Sequence, residues 1–93
     1  MSEAIFSGAY MEKNNRIVVI GIVVDNREEK ASMVNEILSD YGGIIVGRIG
    51  LPYKEREISI ISIIADGTND EIGALTGKLG NIRGIKVKAA FMV

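Results

Sequence analysis

Two stretches of the chain place charged or polar side chains beside backbone that could hold a small ligand. The first is Asp25-Asn26-Arg27, where an apolar run hands over to a helical pattern. Exposed backbone N–H groups at a helix start can hold a carboxylate or another anion, and Arg27 would add positive charge. The plainer reading is capping, with Asp25 or Asn26 as the cap and Glu28 or Glu29 as its partner three residues on. The second stretch is Arg48 with Gly50-Leu51-Pro52-Tyr53, where a guanidinium and an aromatic ring could line a small-molecule cleft. Its plainer reading is an ordinary strand connection, with Lys54 to Glu57 as a solvated charged run.

Two other strings resemble ligand motifs and fail on spacing. Gly73-Ala-Leu-Thr-Gly77-Lys78-Leu79 has three residues between its glycines, and Leu79 follows the lysine. A phosphate-binding loop needs four between them and a Ser or Thr after the lysine. Asp66-Gly67-Thr68-Asn69-Asp70-Glu71 is rich in oxygen but lacks the ordered ligand positions of a calcium loop. A turn followed by a helix cap accounts for every residue in it.

The chain has no Cys and no His, which removes disulfides, thiol chemistry and the soft and imidazole ligands of transition-metal sites. No nucleophile has an evident base beside it. The expectation is a non-enzyme with no cofactor and no metal. Lys and Arg number 11 against 12 Asp and Glu, for a formal charge of −1, so direct nucleic-acid binding is disfavoured. A weaker basic set, Lys78, Arg83, Lys86 and Lys88, is the one route to it. The N-terminus carries no leader-like pattern, and the longest apolar run, Ile17 to Val24, is too short to span a bilayer as a helix. That reading is of a cytoplasmic protein with no membrane partner.

With 93 residues there is room for a single small core. Residues 1–15 read as a tail with little fold content, in which Met11 is an alternative start, and residues 16–93 as one domain. Ile17 to Val24 is short and β-branched, which suits a buried strand. Ala31, Val34, Ile37, Leu38 and Tyr41 recur at helical spacing, and Gly42-Gly43 is placed to stop that helix with a left-handed cap. Ile44 to Ile49 and Ile58 to Ala65 read as strands, the latter closed by an Asp66-Gly67 turn. Thr68 and Glu71 match a capping box, Ile72, Leu75, Leu79 and Ile82 give a core stripe, and Ile85 to Val93 is a last strand.

Strand, helix, strand, strand, helix, strand spells an α+β ferredoxin-like sandwich, with two helices on one face of a four-stranded antiparallel sheet. The second and fourth strands would be its edges, where Arg48, Lys86 and Lys88 guard against unwanted pairing. The first strand is apolar in both phases, so Val18, Ile20 and Ile22 or their alternates Ile17, Val19 and Val23 would lie on an uncovered face. An uncovered apolar face predicts a homo-oligomer, dimer or tetramer, through that face, an edge strand or both. Our assignment places Val18, Ile20 and Ile22 there. Gly73, Gly77 and Gly80 interrupt the second helix at about 1 kcal/mol each relative to alanine, which suggests close packing against the sheet or a neighbouring subunit.

Val46-Gly-Arg-Ile-Gly-Leu-Pro-Tyr53 and Glu71-Ile-Gly-Ala-Leu-Thr-Gly-Lys-Leu-Gly-Asn-Ile-Arg-Gly-Ile-Lys-Val-Lys88 resemble a family of small stand-alone ACT-like proteins, the iron-only hydrogenase system regulators, also described as transcriptional regulators. The resemblance runs from about Arg16 to Lys88. It implies a regulatory module with an ACT-like fold that works as an oligomer and binds a small-molecule effector or a partner protein. Any ligand would then lie at a subunit boundary near Asp25, Asn26 and Arg27, helped by Arg48 or Tyr53. The alternative is a protein-interaction or assembly module without a small ligand.

Overall fold

The computed structural model describes residues 15–25 and 28–93. Of the expected tail, residues 1–14 lie outside the described residues, as do Asn26 and Arg27. The elements are β1 (Asn15–Asp25), α1 (Glu28–Asp40), β2 (Ile45–Tyr53), a short 3-10 turn (Lys54–Arg56), β3 (Ile58–Thr68), α2 (Asn69–Gly80) and β4 (Lys86–Phe91). All strand pairs are antiparallel, in the order β2-β3-β1-β4. This is the expected ferredoxin-like α+β fold.

Strand lengths differ from expectation because the central pair holds together further than its apolar runs. Asn15, assigned by sequence to the tail, pairs with Thr68, and Arg16 with Gly67. Asp66-Gly67 is therefore strand, not turn. The Asp66 N–H donates to the Ile44 carbonyl at 2.8 Å, and a Cβ on Gly67 would stand 3.0 Å from Glu71 Oε1 and 3.3 Å from the Ile44 side chain. Glycine at 67 thus serves close approach rather than chain reversal. The capping box forms as expected: Glu71 N–H donates to Thr68 Oγ1 at 3.1 Å, and Thr68 N–H to Glu71 Oε1 at 2.8 Å.

Helix α1 ends otherwise than its glycines suggest. Among the described residues only Gly84 (φ 91°) and Glu57 (φ 55°) have positive φ, so Gly42 and Gly43 do not form a left-handed cap. Successive tight bonds unwind the helix instead, from Gly42 N–H to Ser39 O at 3.1 Å and from Ile44 N–H to Tyr41 O at 3.0 Å.

Both helices cover one side of the sheet. Val34 and Leu38 of α1 and Ile72, Leu75 and Leu79 of α2, with Ile82 beyond it, pack on Val18, Ile20, Ile22 and Val24 of β1 and on Ile63 and Ala65 of β3. Val18, Ile20 and Ile22 are fully buried there, which corrects their assignment to an interface. Their phase of β1 faces the helices, and the alternate phase, Ile17, Val19 and Val23, belongs to the uncovered side.

The uncovered side is organised in cross-strand rows. One runs Gly47, Ile64, Val19, Ala90, and a second Leu51, Ile60, Val23, Lys86. Between them lies Ile49, Ser62, Gly21, Lys88. The phase of β2 in these rows depends on a bulge: Ile45 pairs with Ala65 and Gly47 with Ile64, leaving Val46 as an extra residue, 67% exposed. Past the bulge, Arg48, Gly50 and Pro52 share the helix side with Ile63, Ile61 and Ser59.

Candidate functional site

The helices do not cover β2 completely, and a cleft remains between its helix-side residues and α1. Glu28, Ala31 and Asn35 recur at helical spacing on one face of α1, while Arg48, Gly50 and Pro52 recur at the strand period of two. These two sets face one another across a space of about 440 Å³, with Val24, Ser59 and Ile61 also lining it. Arg48 Nη2 donates to Asn35 Oδ1 at 2.6 Å, tying the edge strand to the helix at one rim. Asp25 and Glu28 bring carboxylates to the cleft where β1 meets α1.

Such a lining can hold a ligand but offers little for turnover. Arg48 can bind a carboxylate, the oxygens of Asp25 and Glu28 can accept from an amine or hydroxyl, and Val24, Pro52 and Ile61 supply apolar contact. Ser59 is the single hydroxyl of the lining, with no His, Lys or Cys among the lining residues to activate it. Among the described residues, no group of three or more His, Cys, Asp or Glu is placed to hold a metal ion. No described helix is long and apolar enough to cross a membrane.

Of the residues singled out from sequence, Asp25 and Arg48 come together in this cleft. Asn26 and Arg27 would stand beside it in the chain but lie outside the described residues. Tyr53 does not join them. The strand continues through the stretch expected to be a loop, and alternation from Pro52 turns Tyr53 to the uncovered face opposite Ile58, 41% exposed. From sequence, Glu28 has the part of a capping partner and no role is singled out for Asn35. Their spacing with Ala31 was the available signal, but it gains meaning only once β2 is known to lie alongside.

Gly73, Gly77 and Gly80 lie exposed on α2, and a Cβ added to any of them would meet nothing within 4 Å. Close approach to the sheet is therefore not their role, because the buried stripe of Ile72, Leu75 and Leu79 already occupies the inner face. The basic set is also dispersed. Lys78 stands over the Tyr41 ring at 5.2 Å on the helix side, while Lys86 and Lys88 belong to the uncovered face. At the far end of α1, Lys30 Nζ donates to the Arg83 carbonyl and closes the turn that Gly84 makes possible.

Comparison with known proteins agrees with this architecture. The TM1266-like family, described as "Iron-only hydrogenase system regulator, putative", matches residues 16–89. Among solved structures, the uncharacterized protein TM1266 from Thermotoga maritima is similar at 39% identity with a TM-score of 0.83, covering 85% of this chain and 99% of that one. No curated protein matches.

Proposed function

The chain belongs to the TM1266-like family of iron-only hydrogenase system regulators, and from that premise we propose that it is a non-catalytic regulatory module that binds a small effector in the α1–β2 cleft and acts through self-association along β2. The observation that carries this reading is the cleft itself, with Arg48 and Asn35 on one rim, Asp25 and Glu28 on the other, and no catalytic pairing among its lining residues. A small molecule with an anionic group and an apolar body matches it.

Self-association is supported by the way β2 presents its backbone. The bond from Asp66 N–H to Ile44 O fixes which residues of β3 point toward β2. By alternation Gly47, Ile49, Leu51 and Tyr53 bond to β3, and Arg48, Gly50 and Pro52 turn their backbone groups outward. Proline suits that position because it has no N–H to leave unpaired. The result is a free strand edge on which the outward backbone of Arg48 and Gly50 can pair with another strand, while the Arg48 charge and the missing N–H of Pro52 restrict which strand fits. Two copies paired antiparallel along β2 set Arg48 of one beside Gly50 or Pro52 of the other, so the two cleft mouths adjoin. An effector filling both would favour the paired state, the differential affinity that a regulatory response requires.

Thermal-shift measurements with small carboxylates, amino acids and inorganic anions test the effector half. At least one class should raise the melting temperature of the native chain, with the shift lost in Arg48→Ala. No shift with any class, or an equal shift in the variant, would overturn it. Light scattering at micromolar concentration tests the other half, where a monodisperse monomer with and without ligand is the opposing result.

A further inference from the structure

The uncovered face lies across the sheet from the cleft and carries a separate proposal. Its middle row is low where the flanking rows are high. Ser62 and Gly21 form the floor at the centre, and an added Cβ on Gly21 would meet nothing within 4 Å. Ile64 and Val19 stand on one side, Ile60 and Val23 on the other. The two isoleucines remain 43% and 38% exposed. These flanking rows are four residues apart along the strands, or about 14 Å, and the face spans three strand spacings, again about 14 Å. An α-helix with its side chains is roughly 10–12 Å across, and three of its turns measure about 16 Å. The trough therefore has the width and length for a short helix crossing the strands.

Charge decides which kind of helix. Lys88 ends the trough at β4 and Lys86 ends the adjacent row, whereas the opposite end at β2 is Ile49, 70% exposed, and Leu51. Among the described residues neither lysine has a hydrogen-bond or ion-pair partner. Among the described residues the carboxylate on this face lies at a strand end, Asp66, bonded to Asn15 Nδ2 at 3.1 Å.

A second copy is a poor occupant. Face-to-face pairing about a twofold axis along the strands lays the lysines of β4 over apolar β2, and an axis across the strands lays β4 over β4, lysine against lysine. Either arrangement buries cations without partners, which is costly. We infer that the uncovered face docks an amphipathic helix of a different protein, its apolar stripe in the trough over Gly21 and Ser62 and its carboxylates clustered at the end above Lys86 and Lys88.

The probe is a stapled amphipathic peptide of about 14 residues, long enough to cross the face, with a Leu stripe and Glu at one end. It is compared by fluorescence anisotropy with a copy carrying Lys at that end. At low salt the Glu peptide should bind at least about tenfold tighter, with the gap shrinking toward 0.5 M salt as the charges are screened. Lys88→Glu should reverse the preference. Gly21→Val should weaken binding at least about tenfold while keeping or raising thermal stability, since valine favours a strand. Ser62→Leu fills the same floor from β3 and should do likewise.

Equal binding of both peptides, binding of neither, or full binding by both filled-trough variants would overturn the proposal. So would a shift to monomer on Lys88→Glu, which would make a second copy the occupant, or tighter binding of an oligonucleotide that the same substitution abolishes. Because Arg48 and Asn35 lie on the other side of the sheet, loss of effector binding leaves this test readable.

Discussion

At the scale of single residues, glycines with the same side chain have opposite meanings. Gly84 has φ of 91°, and a Cβ there would stand 2.8 Å from Lys30 Nζ. Gly84→Ala should destabilise the fold by about 1–2 kcal/mol, read as a lower urea midpoint. Gly73 and Gly77 face open space. Replacing either with Ala should stabilise the isolated chain by up to about 1 kcal/mol. If the same substitutions lower the oligomer mass in light scattering, the glycine face is an interface; if mass and stability rise together, it is not. Glu57 holds a left-handed conformation at the end of the 3-10 turn. Glu57→Gly should raise the urea midpoint, by roughly 1 kcal/mol, since only glycine adopts that region freely.

At the scale of elements, Thr68→Ala removes half of the capping box and should cost about 1 kcal/mol in equilibrium unfolding. That box, the stripe Ile72, Leu75, Leu79 and Ile82, and the alternation of the first strand were all legible in the sequence, because each depends on neighbours close along the chain. What was not legible depended on a second element. Nothing in Ile17 to Val24 says which phase meets the helices, because both phases are apolar, and the choice of Val18, Ile20 and Ile22 for the open side was wrong for that reason. The extent of β2 was hidden by Gly50 and Pro52, turn formers in isolation that here lie along a free edge. Half of the candidate site, Asp25 and Arg48, could be picked out by charge beside a boundary. Asn35 could not, since an exposed helix asparagine acquires a role only through the strand it bonds. Asn35→Ala should loosen that rim and reduce any effector-induced melting shift, with little change in the melting temperature of the ligand-free chain.

At the scale of the whole molecule, the sheet separates two surfaces: a mixed-charge cleft under the helices and an apolar trough with a cationic end on the other side. A self-associating chain should melt at a temperature that rises with protein concentration, because the assembled form is favoured by mass action. Leu79→Ala, in the core shared by both helices and the sheet, should cost about 2–5 kcal/mol and weaken every binding function together. Substitutions at Arg48 and at Gly21 should instead separate the two surfaces. They are nevertheless linked through Val46. The extra residue of the bulge sets the phase of everything after it. Drawing Val46 into regular pairing opposite Ile64 would shift β2 by one residue, sending Arg48 to the trough side and Ile49 and Leu51 beneath the helices, whereas deleting Val46 would leave the partners from Gly47 onward unchanged. The two faces therefore share a reading frame at this strand, and a lineage that straightened the bulge while keeping Val46 would have to rebuild both at once.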